Sequence, residues 1–388
     1  MRRSGFLAGG VALATAAAAL PARAQYIGTP YRQQLTIAVN VPLSGPLGPY
    51  GIAVVNGARA AVDYDTRYSG PLERAFSIRT FDDQGALAIA ITNAQFAAGD
   101  NTVVATIGGL TADVTVGCLS EYANDGMPLI VPAVTADAVT ARGYRNVFRL
   151  PTKDTTEGIL FARTVLPEAK PTYALAVMQD GGYGAEVAHG FAAQAHADKH
   201  NVDVVSFPDE KPDYAAAAAA IVAKKADYLF LAGKVAAMGP LVPALVAAGY
   251  KGAFGLSDGF YDVSTIKQYG EQLTGALIAT SFAPLRRAPS DFILLQDLTS
   301  AIGDVTAFSA YGYAAAQIAM TAVKRSNAMD RIATLQALVT PGAPYATLTG
   351  SYTFDFSGDA IDPNIYLFSI GKDGFTYKKP AHPSGFVL

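Results

Sequence analysis

The stretch LTIAVNVPLSGPLGPYGIAVVNGARAAV, residues 35–62, contains one complete unit of an α/β fold. Residues 35–41 form a continuous apolar and β-branched run, which is typical of a strand buried on both faces. Residues 42–50 are a loop rich in glycine and proline, and residues 52–62 have the spacing of a helix. The order strand, loop, helix predicts that this unit belongs to a parallel sheet.

The same unit recurs along most of the chain. Further strands are predicted at residues 76–81, 103–107 and 128–134, and, after Leu150-Pro151, at 173–178, 202–207, 228–232 and 253–256. Ala-rich helical patterns separate these strands. A return strand at 275–281 and helices at 291–302 and 308–325 would carry the chain back toward the first series. The sequence therefore predicts two consecutive α/β sheets.

The N-terminus has the three parts of a secretory signal. Arg2 and Arg3 supply the positive charge, residues 6–20 are apolar, and Ala22-Arg23-Ala24 is an A-x-A-like cleavage site. We expect residues 1–24 to be removed. The arginine pair is similar to a twin-arginine signal, with one extra residue before Phe6-Leu7. Since no cysteine lies near the cleavage point, we expect a soluble periplasmic protein without a lipid anchor.

Length and charge restrict the function class. About 364 residues remain after cleavage, which is more than one hydrophobic core usually supports. The net charge is -3 and no basic cluster lies beyond the signal except the short Lys378-Lys379 pair, so we expect neither nucleic acid nor an anionic membrane as partner. Cys118 stands alone, which excludes an intramolecular disulfide and favours a buried thiol.

Several loops that follow predicted strands are candidates for a binding site. In parallel α/β sheets, ligands bind beyond the carboxyl ends of the strands, where loops lead into helix N-termini. The candidate loops are Pro42-Leu43-Ser44-Gly45-Pro46, Gly108-Gly109-Leu110-Thr111, Pro132-Ala133-Val134-Thr135, Asp180-Gly181-Gly182-Tyr183-Gly184 and Gly255-Leu256-Ser257-Asp258-Gly259. A ligand held between two sheets could contact all of them.

These loops, in this order and spacing, carry a family resemblance over nearly the whole mature chain. The stretches concerned are Leu43-Ser44-Gly45-Pro46 with Tyr50-Gly51, Phe81-Asp82-Asp83, Ile107-Gly108-Gly109, Pro132-Ala133-Val134-Thr135-Ala136, Thr140-Ala141-Arg142-Gly143-Tyr144, Asp180-Gly181-Gly182-Tyr183-Gly184 and Phe354-Asp355-Phe356-Ser357-Gly358-Asp359. In them the chain resembles the extracytoplasmic branched-chain amino-acid binding proteins of ABC transporters, the leucine/isoleucine/valine-binding type.

The resemblance implies a type I periplasmic binding protein fold, with two Rossmann-like lobes joined by several crossovers that close like a hinge. We expect lobe I to comprise residues 35–150 and 282–362, and lobe II residues 151–281 and 363–388. By the same resemblance, Ala133 would contact the solute through its backbone, and Thr135 would bind the amino-acid head group. Tyr183 would close over the solute from lobe II. Asp258 would pair with the ammonium group.

Tyr50 and Leu110 match positions that shape the side-chain end of the family's pocket. Two departures concern the solute. Ala112, between Thr111 and Asp113, replaces the family's usual serine, although its backbone N–H can still serve. Lys234 lies where relatives often have a tyrosine. Lys234 could meet a carboxylate of the solute or point to solvent, and Asp113 by itself favours a solvated helix cap over a ligand contact. Because Ala112 and Lys234 depart from the family pattern, the solute class extends from amino acids to related amides and carboxylates.

Two alternative functions compete with the receptor. Gly255-Leu256-Ser257-Asp258-Gly259 satisfies the G-x-S-x-G pattern of a hydrolase nucleophile, and His382 is the only later histidine. A ligand-sensing module of a membrane receptor would use the same fold and pocket. The histidines at 189, 196 and 200 favour a polar helix face over a metal site. We therefore expect no enzyme activity, metal or cofactor, and a monomer that delivers its solute to ABC permease subunits.

Overall fold

The computed structural model describes residues 33–68, 74–207, 212–282, 284–285, 289–326, 330–340, 342–363 and 365–381. The predicted signal and His382 lie outside these residues. Within this part of the chain, no helix has the length and apolar character that crossing a bilayer requires.

The first sheet contains five parallel strands and their connecting helices. The strands are β1 (Gln33–Val41), β2 (Arg74–Asp82), β3 (Val103–Gly108), β4 (Leu129–Val131) and β5 (Val147–Arg149), in the spatial order β2-β1-β3-β4-β5. The helices are α1 (Gly48–Tyr68), α2 (Leu87–Gly99), α3 (Ala112–Asn124) and α4 (Ala138–Ala141). Successive residues of β1 enter different cores, because Ile37 packs on the α1 side and Ala38 on the α2 side.

The second sheet has seven strands. Those from the first pass of the chain are β6 (Ala174–Gln179), β7 (Val202–Phe207), β8 (Tyr228–Ala232), β9 (Ala253–Leu256) and β10 (Leu277–Thr280), all parallel. The accompanying helices are α5 (Asp154–Ala169), α6 (Tyr183–Ala197), α7 (Tyr214–Ala223), α8 (Val235–Met238), α9 (Leu241–Ala247) and α10 (Val263–Tyr269). A 3₁₀ turn, Asp258–Phe260, follows β9.

The chain then returns to the first sheet before it ends in the second. The returning elements are the helices α11 (Pro289–Ile302), α12 (Ala307–Ser326) and α13 (Arg331–Val339) and the hairpin β11 (Tyr345–Thr347) with β12 (Gly350–Tyr352). Helix α12 packs tightly on α1, where a Cβ on Gly57 would lie 1.9 Å from the carbonyl oxygen of Ser309. The last strands, β13 (Tyr366–Ile370) and β14 (Phe375–Pro380), are antiparallel and complete the order β14-β13-β10-β9-β8-β6-β7.

The predicted α/β class with two sheets is confirmed. The five-stranded sheet is parallel, whereas the seven-stranded sheet is parallel except at β13, which runs antiparallel to its neighbours. The element bounds differ in places. Helix α1 begins at Gly48, so Tyr50 lies in its first turn and not in a loop. Pro49 explains the difference, because the fixed φ of proline suits a first helical turn. In residues 351–378, aromatic and apolar residues alternate with polar ones, a pattern typical of half-exposed strands, but residues 353–363, between β12 and β13, contain no named strand. The strand pairings are compatible with the predicted lobe boundaries, which stay a prediction.

Candidate functional site

The residues predicted to bind a solute lie beyond the carboxyl ends of strands in both sheets. Tyr50 follows β1; Leu110, Thr111, Ala112 and Asp113 follow β3; Ala133 and Thr135 follow β4; Tyr183 follows β6; Lys234 follows β8; and Asp258 follows β9. The two sheet edges approach each other where the backbone N–H of Asp137 donates to Oε2 of Glu186, 3.0 Å away. We call the space between these edges the cleft.

On the first-lobe side, the loop after β3 presents the N-terminus of α3. Gly109 has a φ of 94°, and a Cβ there would lie 2.1 Å from the hydroxyl oxygen of Thr115, so glycine is needed for this turn. Thr111 occupies the N-cap position without a capping hydrogen bond from its side chain. The first N–H groups of a helix have no partner inside it and favour an anion. Asp113 is exposed.

The loop after β4 is held by a buried arginine. Arg149, which is 0% exposed, donates from its Nη1 atom to the carbonyl oxygens of Thr135 at 2.8 Å and Ala136 at 2.6 Å. Its Nε and Nη2 atoms donate to Oδ1 of Asp359 at 2.9 and 2.5 Å. The guanidinium therefore fixes the loop that carries half-buried Ala133 and Thr135, and its charge is neutralised behind the cleft wall.

On the second-lobe side, Tyr183 and Asp258 are joined directly. The Tyr183 hydroxyl donates to Oδ1 of Asp258 and accepts from the backbone N–H of Gly259 at 2.8 Å. A Cβ on Gly259 would lie 3.0 Å from the Tyr183 ring and 2.4 Å from the carbonyl oxygen of Gly233, so glycine permits this close approach. The structure thus brings together two residues that the family resemblance assigns to one site.

Two further carboxyl groups lie behind Asp258, in the first turn of α5. Glu157 is 1% exposed, and its Oε1 atom accepts the backbone N–H of Asp258 at 2.8 Å. Asp154 is 0% exposed, and neither of its carboxylate oxygens has a hydrogen-bond partner among the described residues. The Thr135 hydroxyl lies close enough to favour the charged form of Asp154, although it falls short of a hydrogen bond.

Burial dominates the titration of this acidic group. It raises the pKa of Asp258 to about 6, against the hydrogen bond from Tyr183 and the charge of Lys234. Burial and the neighbouring acids raise the pKa of Glu157 and of Asp154 well above the ordinary range, and burial likewise raises the pKa of Tyr183. Carboxylates this close cannot all ionise without a cation. The second-lobe wall is therefore suited to a cationic group.

Lys234 is the basic group whose charge reaches Asp258. Its side chain is exposed, and its backbone N–H donates to Oε1 of Gln179 at 2.8 Å. An exposed lysine does not neutralise the buried acids behind Asp258. Among the described residues, no cluster of histidine, cysteine and acidic side chains has a geometry that could hold a metal ion.

Ser257 has a structural role in the loop after β9. It is 0% exposed, and its hydroxyl accepts from the backbone N–H of Gly233 at 3.0 Å and donates to the carbonyl oxygen of the same residue at 3.2 Å. A hydrolase nucleophile must instead be exposed at the strand end. This arrangement does not favour the hydrolase alternative.

Aromatic side chains border the first-lobe wall. The ring of Tyr50, which is 45% exposed, lies 4.9 Å from that of Phe308. Leu110 is half-buried and packs on the same hydrophobic core as Phe308. These positions are compatible with a role at the apolar end of a solute, which stays a prediction.

Four residues of the site were not predicted from the sequence: Asp154, Glu157, Glu186 and Arg149. The two acids in the first turn of α5 are a visible signal, but acids are also favoured at any helix N-terminus by the helix dipole. Arg149 lies in a strand, and its partner Asp359 is distant in sequence. Only the fold brings these groups to the cleft.

Comparison with known proteins covers nearly the whole described chain. A model of the periplasmic binding protein family matches residues 34–374. A Leu/Ile/Val-binding protein homologue from Brucella melitensis is 26% identical over 342 residues, which is 86% of this chain and 90% of the relative.

Two solved structures have the same fold. A leucine binding protein from Thermotoga maritima superposes with a TM-score of 0.77 at 19% identity, covering 91% of this chain and 100% of that chain. A branched-chain amino acid transporter substrate binding protein from Streptococcus pneumoniae, in complex with isoleucine, has a TM-score of 0.75 at 20% identity, covering 89% of this chain and 100% of that one.

Proposed function

The chain belongs to the periplasmic binding protein family, and from this premise we propose that it captures an amino acid or similar small polar solute in the cleft and delivers it to an ABC permease. The family consists of solute receptors and not of enzymes. Its relatives include proteins named for binding leucine, isoleucine and valine.

The observation that carries the proposal is the surplus of carboxyl groups on the second-lobe wall, where Asp258 is half-buried and Glu157 and Asp154 are buried. Asp258, Glu157 and Asp154 lie together, and among the described residues the one basic group whose charge reaches Asp258 is the exposed Lys234. A solute ammonium group would supply the missing positive charge. The N-terminus of α3 and the Thr135 hydroxyl, on the opposite wall, would then receive a carboxylate or an amide.

Replacing Asp258 tests this arrangement. We expect Asp258→Asn to weaken the binding of an amino acid by about 2 kcal/mol, roughly thirtyfold, because the ammonium would lose its charged partner. Isothermal titration with L-leucine and L-phenylalanine measures the change. Asp125→Asn, at an exposed acid, is the matched control and should leave affinity unchanged. Equal affinity of Asp258→Asn and the wild type would remove Asp258 from the site.

The cellular context follows from the family. Periplasmic binding proteins act in the periplasm, and we propose that residues 1–24 are cleaved during export of this chain. Mass spectrometry of the mature protein would check the new N-terminus at Gln25. Light scattering tests the proposed monomer. A pull-down from membranes would distinguish permease subunits from a membrane sensor as the partner.

A further inference from the structure

An aromatic cavity of about 510 Å³ lies between the two lobes, beside the cleft. Residues at the start of α12 line it from the first lobe, and residues of β13 and β14 from the second. We define it by Tyr261, Phe282, Ala307, Tyr311, Phe368 and Phe375, which are part of its lining. Pockets that hold drug-sized ligands have volumes of roughly 300–1,000 Å³, so the cavity has the size of a binding compartment.

The cavity adjoins the acidic end of the candidate site. Tyr261 directly follows the turn that begins at Asp258, and its backbone N–H donates to the Asp258 carbonyl oxygen at 2.7 Å. Tyr311, on the opposite side, donates its hydroxyl to the carbonyl oxygen of Ser281 at 2.6 Å. The pKa of Tyr311 is raised mainly by burial, then by Tyr352 and Tyr366, and also by the charge of Asp258. The carboxylate and the cavity are therefore neighbours.

The rings form a continuous aromatic surface. Tyr261 lies 4.6 Å from Phe375 and 5.8 Å from Phe282, centroid to centroid. Phe282 in turn lies 5.8 Å from Tyr311 and 6.5 Å from Phe308, which contacts Tyr50. These separations are those of interacting aromatic pairs. The surface thus connects the predicted side-chain end of the pocket, at Tyr50, with the second lobe.

Among the described residues, the lining contains hydroxyl groups and rings but no charged side chain. An apolar group placed there would displace water from the cavity without removing a charged side chain of the described lining from solvent. It would also contact several rings. A branched aliphatic side chain, with three or four carbon atoms, would leave most of these rings in contact with water.

We propose that the aromatic cavity receives the apolar part of the solute, and that the receptor selects amines or amino acids carrying an aromatic or similarly large apolar group. This inference rests on the proposed function, since Asp258 would hold the ammonium group while the cavity holds the ring.

Isothermal titration of the mature full-length protein with L-phenylalanine, 2-phenylethylamine and L-leucine tests the inference. We expect L-phenylalanine to bind at least about tenfold more tightly than L-leucine. Ala307→Trp, at the half-buried first residue of α12, would fill the cavity. It should weaken L-phenylalanine binding by about tenfold or more and change L-leucine binding less than about twofold.

Two further variants make the result decisive. Phe282→Ala removes a lining ring and should also weaken L-phenylalanine selectively, which covers the case that Ala307→Trp fails to fold. Phe356→Ala, at an exposed ring outside the cavity lining, should change neither affinity. Tighter binding of L-leucine than of L-phenylalanine, or an equal loss of both in Ala307→Trp and in Phe282→Ala, would overturn the inference and leave the proposed function intact. No binding of any amine or amino acid would overturn both.

Discussion

The two walls of the cleft present different chemistry to a solute. The first-lobe wall offers backbone N–H groups at the start of α3 and the Thr135 hydroxyl, and the buried charge behind it, Arg149, is fully paired. The second-lobe wall carries Asp258, with Glu157 and Asp154 buried behind it and no buried cation to pair with them among the described residues.

This difference indicates that the two walls contribute to solute binding in different ways, one through hydrogen bonds and the other through charge. A wall whose buried charges are paired orients a ligand through hydrogen bonds, and electrostatic attraction between full charges contributes little to its binding free energy. A wall with unpaired buried carboxyl groups binds strongly only when a cation enters. We therefore expect changes to the first wall to act mainly through its structure, and changes to the second wall to act through charge and pH.

The largest effect should come from breaking the support of the first wall. Arg149→Met would leave the Asp359 carboxylate and the carbonyl groups of Thr135 and Ala136 without their donor. We expect the free energy of unfolding to fall by about 3–5 kcal/mol, the usual cost of removing one member of a buried ion pair. Urea unfolding at neutral pH measures it.

The matched control is Arg145→Met, because Arg145 is exposed and lies over the ring of Phe356 at 6.0 Å. Its loss should cost less than about 1 kcal/mol, as exposed cation–π contacts do. If the two variants are equally stable, Arg149 does not hold the first wall, and Lys153, which lies 3.5 Å from Asp359, would be sufficient.

The second wall should make binding depend on pH. Because the pKa of Asp258 is raised to about 6, the unliganded protein carries a proton there at lower pH. An ammonium group binds the deprotonated form, so a proton must leave before the solute binds. Affinity for L-phenylalanine should be nearly constant above about pH 7 and fall by up to about tenfold per pH unit below about pH 6.

Titration calorimetry between about pH 5 and about pH 8 measures this dependence. In the described part of the chain, the charged and titratable groups around Asp258 are Lys234, Tyr183, Tyr311, Glu157 and Asp154. Neither the ammonium nor the carboxylate of the solute titrates in this range, so the slope belongs to the protein. Affinity that rises toward acidic pH would contradict a carboxylate partner.

Glu157→Gln tests the charge of the second wall without changing the first. Glutamine keeps an acceptor for the Asp258 N–H but removes a buried carboxyl group whose pKa is raised by burial and by Asp258. A group with a raised pKa destabilises the folded protein as pH rises through its unfolded value, so its removal should stabilise the unliganded protein at about pH 8 by about 1 kcal/mol.

The same variant should leave the fall in affinity near about pH 6, because burial, and not the charge of Glu157, raises the pKa of Asp258. Glu271→Gln, at an exposed acid, is the control for removing one negative charge. Thermal unfolding and the pH profile of binding provide independent measurements. A destabilised Glu157→Gln at alkaline pH would mean that the carboxylate is compensated in a way that the described contacts do not contain.

Much of the fold and part of the site could be predicted because they depend on local patterns. Buried strands followed by loops and helices placed Thr135, Tyr183 and Asp258 beyond strand ends. The family motifs then assigned them to one pocket, and the structure joins Tyr183 to Asp258. The start of α1 was predicted too late, since a loop rich in glycine and proline and a first turn containing Pro49 look alike in sequence.

The second half of the site depends on contacts between distant segments. Glu157 is an ordinary acid of a first helical turn until α5 packs against the loop of Asp258. Arg149 is a charge at a strand end until Asp359 reaches it from a later crossover. The aromatic cavity likewise takes its rings from segments around Tyr261, Phe282 and Phe375. Periodicity and motifs carry no information about contacts between segments that are distant in sequence.

The smallest effect should come from adding one donor to the first wall. Ala112→Ser would place a hydroxyl at the first residue of α3, where the family usually has serine and where the helix N-terminus favours an anion. We expect L-phenylalanine to bind about two- to fivefold more tightly, since one new hydrogen bond contributes about 1 kcal/mol or less. The affinity for 2-phenylethylamine, which lacks the carboxylate, should not change. An equal gain in affinity for L-phenylalanine and 2-phenylethylamine would mean that the new hydroxyl changes the unliganded protein and does not contact the solute carboxylate. The proposed difference between a hydrogen-bonding wall and a charged wall would then be wrong at this position.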